Sequence, residues 1–164
     1  FKGAVTSDGM PASEMAACIA ADVHAHVIGV EGRITDHPRQ AQGLVMDLIP
    51  PRYRGLAGPP SLASCTRDVY AADARFTPAQ ARAIAQGAGD ALAHLHAQGL
   101  MHGDFYAHNL LVDDQAHALL GDFGAASFLP EDDGGRAEAL RRIDRRALDV
   151  LVDELAQRSD GAAA

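Results

Sequence analysis

Between His102 and Gly124 the sequence reads HGDFYAHNLLVDDQAHALLGDFG, and this run limits the fold more tightly than any other. A tight His-Gly-Asp turn ends a long helical pattern, Asn109 follows Asp104 by five places, and Asp122 follows Asn109 by thirteen. The apolar runs LLV and HALLGDF flank the turn DDQ, so the spacing predicts a hairpin that carries Asp122 back beside Asn109. Two oxygen-bearing side chains and a free carboxylate then converge. Mg²⁺ prefers hard oxygen ligands and binds through one or two carboxylates together with substrate phosphates. Asn109 and Asp122 therefore read as a cradle for a metal nucleotide, and Asp104 is left to face a nucleophile. In phosphoryl transfer, accepting the hydroxyl proton is one of the few chemical tasks a side chain must perform.

The elements around this run follow from local patterns. PASEMAACIAADVHAHV opens on Pro11, a favoured first helical residue, and predicts a short helix with Met15, Ala16, Cys18 and Ile19 on its apolar side. HVIGVEGRI and GLVMDLIP read as strands, and the Pro- and Gly-rich PPRYRGLAGPPSLAS as a loop. Thr77, Pro78 and Gln80 supply an N-cap, a first-turn proline and a capping-box partner. Ala81, Ile84, Ala88, Leu92 and Leu95 continue that start as an apolar stripe ending before Gly99. A last helix is predicted from AEALRRIDRRALDVLVDELAQR, with Leu140, Ile143, Ala147, Leu151 and Leu155 inward. Asp144 falls on that same stripe, where a carboxylate is costly unless it is hydrogen-bonded.

A chain of 164 residues with 48% apolar content suits one soluble globular domain. Its formal charge of −8 and 5% aromatic content argue against a nucleic-acid or anionic-membrane surface, although RRIDRR at Arg141 to Arg146 is locally basic. No apolar run approaches the roughly 18 residues of a membrane span. Cys18 and Cys65 form no disulfide framework, so a reducing, cytoplasmic setting is expected. Among the eight histidines, His94 and His96 are two apart on a helix and point in different directions, which argues against zinc. His102 reads as a packed support for the loop and Tyr106 as a side chain beneath it.

His102-Gly103-Asp104-x-x-x-x-Asn109 followed by Asp122-Phe123-Gly124 resembles the catalytic loop and Asp-Phe-Gly signature of the protein kinase-like superfamily. From HGDFYAHNLLVD through GDFGAASF, the chain is similar to bacterial kinase-like domains that often accompany leucine-rich repeats; it has no such repeat itself. The resemblance implies an α+β kinase-like fold, with a partial N-lobe and hinge over residues 1–50 and a partial, mostly helical C-lobe over 51–164. It implies ATP and Mg²⁺ as cofactors, Asp104, Asn109 and Asp122 as catalytic residues, and Asn109 and Asp122 as the metal ligands. Glu14 looks like the glutamate that pairs with a nucleotide-binding lysine. Met46 looks like the gatekeeper and Asp47 to Ile49 like the hinge whose backbone bonds adenine. Asp144 resembles the aspartate that accepts amide hydrogen bonds from the catalytic loop.

Departures from the pattern shape what is expected. No Gly-x-Gly-x-x-Gly lid precedes the first helix, and Lys2 lies close to the start, so the phosphate-binding lysine is expected just upstream. Gly103 stands where the family has an arginine, which argues against control by activation-loop phosphorylation. About twenty residues separate Asp122 from Asp144 with no Ala-Pro-Glu triplet between them, which leaves little platform for a peptide. The chain also stops soon after its last helix, where a full kinase would continue. The predicted reaction is transfer of the ATP γ-phosphoryl group to a protein hydroxyl. Two alternatives stay open: a small-molecule phosphotransferase of the aminoglycoside and choline kinase type, and a catalytically silent binding or regulatory module.

Overall fold

The structure, a computed structural model, describes residues 10–65, 67–131 and 135–159, so Lys2 lies outside the described residues. Helix α1 spans Pro11–Ala20 and starts at the proline, as its sequence predicts. Its buried seam is rotated from the expected one. Met15, Ala17 and Cys18 are buried, whereas Ala16 is exposed and Ile19 is 48% exposed. The small side chains of Ala17 and Ala21 occupy the face that meets the core, and the bulkier Ile19 falls off that seam.

Strands β1 (Val30–Ile34) and β2 (Gly43–Met46) pair antiparallel, Val30 opposite Met46 and Ile34 opposite Gly43. The proline-rich stretch expected as a loop contains one short strand, β3 (Arg54–Gly55), and one helical turn, Leu62–Ser64. Its strand forms because it has an edge to meet: β3 pairs with β5 (Leu110–Val112), which in turn pairs with β6 (Ala118–Leu120). The last pair is the predicted hairpin, with Leu110 opposite Leu120.

Helix α2, Pro78–Ala97, has the predicted capping box: the Gln80 amide donates to Thr77 Oγ1 at 3.1 Å and the Thr77 amide to Gln80 Oε1 at 2.9 Å. Ala81, Ile84, Ala88, Leu92 and Leu95 are all buried, and each fully buried leucine or isoleucine contributes about 1.5–3 kcal/mol. The chain leaves α2 through Gly99 at φ +74, a left-handed conformation that suits glycine. It then enters β4 (Leu100–Met101), which pairs with β7 (Ser127–Phe128).

Helix α3, Arg136–Gln157, packs against α2. Leu151 and Leu155 are buried as expected, Leu140 and Ala147 half-buried, and Ile143 is 56% exposed. Asp144 and Glu154 are buried instead. Their hydrogen-bond partners lie inside the domain, so the helix turns these carboxylates inward and carries Ile143 out. No helix among the described residues is long and apolar enough to cross a membrane.

Candidate active site

The loop from His102 to Asn109 leaves the end of β4 and is shaped first by Gly103. That residue has φ +77, and a Cβ there would sit 2.6 Å from the Ala125 carbonyl oxygen. An arginine, which the family pattern has here, would be strained by roughly 1–2 kcal/mol in backbone terms alone and would also strike backbone. Glycine is what this turn requires.

Asp144 fastens the front of the loop. Its Oδ2 accepts the His102 amide at 2.9 Å and its Oδ1 the Gly103 amide at 3.0 Å, while His96 Nε2 donates to Oδ2 at 2.9 Å. Burial pushes this carboxyl up, but the bonds from His96, Gly103 and His102 outweigh it and hold the group below its ordinary value. The imidazole of His102 is fully buried, and burial pushes its pKa down. The neutral ring fits a single tautomer, with Nε2–H donating to the Gly121 carbonyl at 3.0 Å and Nδ1 facing the Asp104 amide at 3.4 Å. His102 is thus the packed support its position predicts, joining the loop to the residue before Asp122.

The back of the loop forms one helical turn, Ala107–Asn109. Asn109 is 9% exposed, and its Nδ2 donates both to the Asp104 carbonyl at 2.8 Å and to Asp104 Oδ2 at 3.1 Å. With Nδ2 engaged, Oδ1 is the atom left for a ligand. The Asn109 carbonyl accepts the Gly121 amide at 3.0 Å, which extends the hairpin by one pair and sets Asp122 immediately beyond it. Asp122 has φ +54, is exposed, and accepts the Gly124 amide on Oδ1 at 3.2 Å. Phe123 is 2% exposed, with its ring centroid 5.4 Å from that of His102.

Beside this hairpin lies a cleft of about 410 Å³ whose walls include Glu14, Cys18, Leu44, Met46, Asp122 and Phe123. Glu14, Met46 and Asp122 are therefore brought together. Asp47 and Ile49 are not in the cleft wall. The Asp47 amide is bonded to the Gly29 carbonyl at 3.2 Å, whereas the Ile49 amide makes no hydrogen bond among the described residues. Cys18 has its thiol pushed up to about 11 by burial and by the charges of Glu14 and Asp122. Iodoacetamide at pH 8 is expected to alkylate exposed Cys65 well before buried Cys18, as read by peptide mass spectrometry.

Three residues that hold this site escaped sequence reasoning. Asp68 accepts the amides of Ala107 and His108 and the His108 ring; Glu154 accepts the Asp68 amide; His96 supports Asp144. Asp68 gives no periodic signal, but Glu154 stands three places after Leu151 and seven after Ala147 on the α3 stripe, and His96 stands four places after Leu92 at the edge of the α2 stripe. Among the described residues no group of three His, Cys, Asp or Glu side chains could hold a metal ion. A pair of oxygen ligands, Asn109 Oδ1 and the Asp122 carboxylate, instead fits an ion such as Mg²⁺ that takes its remaining ligands from phosphate and water.

Comparison with known proteins finds the family described as protein kinase domain matching residues 12–140. A probable serine/threonine-protein kinase of Arabidopsis thaliana is 29% identical over 105 residues, 64% of this chain and 13% of that protein. Cyclin-dependent kinase C-2 C of the same plant is 29% identical over 104 residues, 63% of this chain and 14% of its own length. The plant eIF-2-alpha kinase GCN2 is 42% identical over 50 residues, 28% of this chain and 4% of that protein. The matched region thus spans less than a sixth of each of these relatives.

Proposed function

This chain belongs to the protein kinase domain family, and on that basis we propose that it transfers the γ-phosphoryl group of ATP to a serine or threonine hydroxyl of a protein. The observation that carries the reading is the assembly of Asp104, Asn109 and Asp122 on one loop and the hairpin that follows it, beside a cleft that also presents Glu14 and Met46. Residues 1–50 form the nucleotide-side part on this reading, and 51–164 the part with the catalytic loop. Similarity to the bacterial kinase-like domains that accompany leucine-rich repeats rests on the runs HGDFYAHN and DFGAASF. A cytoplasmic setting is part of the same proposal, on the low cysteine count alone.

Asp104 orients the acceptor hydroxyl and takes its proton as the oxygen bonds to the γ-phosphorus and the bond to the β–γ bridging oxygen breaks, with ADP leaving. Its carboxylate is kept in place by Asn109 Nδ2, so it need not reorganise during the step. Asn109 Oδ1 and Asp122 would hold Mg²⁺, which supplies neutralising charge to the phosphates when bound. Glu14 would pair with the phosphate-binding lysine. Met46 would border adenine, and the Asp47 carbonyl and Ile49 amide would hydrogen-bond it; the unbonded Ile49 amide supports this.

A small-molecule hydroxyl acceptor is the second reading. It is favoured by the short passage from Phe128 at the end of β7 to Arg136 at the start of α3, which leaves little surface for a peptide. Labelled phosphate transfer from Mg·ATP to a protein panel and to aminoglycosides and choline separates the two. Labelling of protein serine or threonine is expected, reduced about 100-fold or more in Asp122→Ala. Labelling confined to small molecules would select the second reading. Nucleotide binding without transfer to either would leave a binding module.

A further inference from the structure

The catalytic loop is tied at both ends by buried carboxylates, and only one of them lies on a helix. Asp144 holds His102 and Gly103. At the far end Asp68 accepts the Ala107 amide at 2.7 Å, the His108 amide at 3.2 Å and the His108 Nδ1–H at 2.8 Å. Ala107 and His108 open the helical turn, where amides have no partner within the turn itself. The residue before it, Tyr106, offers no side-chain cap. Asp68 supplies that cap from 39 residues away in sequence.

Asp68 is itself held. Its side chain is 3% exposed, and its amide donates at 3.2 Å to Oε1 of Glu154, whose other oxygen accepts the Tyr70 hydroxyl at 3.1 Å. A continuous line of hydrogen bonds therefore runs from α3 through Glu154 and Asp68 to His108. The His108 side chain is 7% exposed, and its Nε2 lies 4.0 Å from Asp104 Oδ2. The same turn carries Asn109, which bonds Asp104 from the other side.

We infer that Asp68 is a positioning residue for phosphotransfer: by capping the Ala107–Asn109 turn and orienting His108, it sets where the Asp104 carboxylate and Asn109 stand. The inference rests on the phosphotransfer reading above. Asp68 touches no wall of the nucleotide cleft, so its loss reaches that cleft only through Asn109 and falls mainly on the groups facing the acceptor. Displacements of about 1 Å at reacting groups cost up to about 100-fold.

The test measures kcat and KM for Mg·ATP in the protein, with casein as acceptor and, in parallel, with water as acceptor in ATP hydrolysis. Asp68→Asn retains the shape but presents an NH₂ group to loop donors, and is expected to lower kcat about 10- to 100-fold, a larger change than the accompanying rise in KM for Mg·ATP. His108→Ala is expected to lose about tenfold in kcat, and His108→Asn, whose Nδ2–H replaces the Nδ1–H donor to Asp68, to recover most of it. Rates are taken well below the melting temperature and divided by the folded fraction from near-ultraviolet circular dichroism. A kcat that merely follows the folded fraction overturns the positioning role, as does a wild-type kcat in Asp68→Asn or equal losses in His108→Ala and His108→Asn. A wild-type protein that binds Mg·ATP but transfers to neither acceptor overturns the phosphotransfer reading and this inference together. Wild-type transfer with unmoved variants overturns this inference alone.

Discussion

Asp104→Asn is expected to reduce phosphotransfer from Mg·ATP by about 100- to 10,000-fold, the range over which general base groups act, with little change in melting temperature. The side chain of Asp104 is 44% exposed, and an asparagine oxygen can still accept the bond from Asn109 Nδ2. Shape and loop geometry are therefore kept while the ability to accept a hydroxyl proton is lost. KM for Mg·ATP is expected to hold, because Asp104 is not part of the cleft wall. Initial rates across a range of ATP concentrations, paired with thermal melts, check both halves. Equal rates for the two proteins would remove Asp104 from the chemistry.

The largest effect on stability is expected at Asp144, which is 1% exposed and accepts three hydrogen bonds. Asp144→Ala strands two loop amides and the His96 ring in the interior. Breaking one partner out of a buried charged network costs about 3–5 kcal/mol. Against a total stability of about 5–15 kcal/mol that is a large share. It corresponds to a fall of roughly 6–20 °C in melting temperature for a domain this size. Because the loop is the structure being released, activity at low temperature is expected to fall as well.

The same network predicts how stability depends on pH. Asp144 is held below the ordinary value of 3.8, so its contribution is fully present above that value and is lost as pH falls through the folded-state value. His102 is likewise lowered, from 6.5, because burial disfavours the imidazolium. Its contribution is present above pH 6.5 and is lost as pH falls from there toward its folded value. Melts in the window below pH 6.5 therefore read His102 together with His24, which is lowered in the same direction, and melts below pH 3.8 read Asp144 together with Asp113. The Asp144→Ala protein is expected to lack Asp144's share of the lower loss.

Where short-range rules sufficed, the fold was legible. Helix α2 could be placed because its capping box and apolar stripe lie within one continuous segment, and local hydrogen bonding settles where such a helix begins. The β5–β6 hairpin followed from a turn of three residues between two apolar runs. Asp144 could be singled out because a carboxylate on an apolar stripe implies a partner. Ile19 and Ile143 were misplaced for a related reason: periodicity gives the width of an apolar face but not its rotation, and each helix turned to satisfy something outside itself.

By itself, the sequence determined the types and spacing of the groups that meet around Asp104, since that spacing is local to one loop and one hairpin. It also determined membership in a family of known fold. Only the tertiary structure decided what keeps the far end of that loop in place. Asp68 meets Ala107 across 39 residues, and Glu154 meets Asp68 across 86. Contacts of that range have no periodic or propensity signature. They exist because the packed core brings distant backbone together, and a buried amide or carboxylate brought inside must find a partner there.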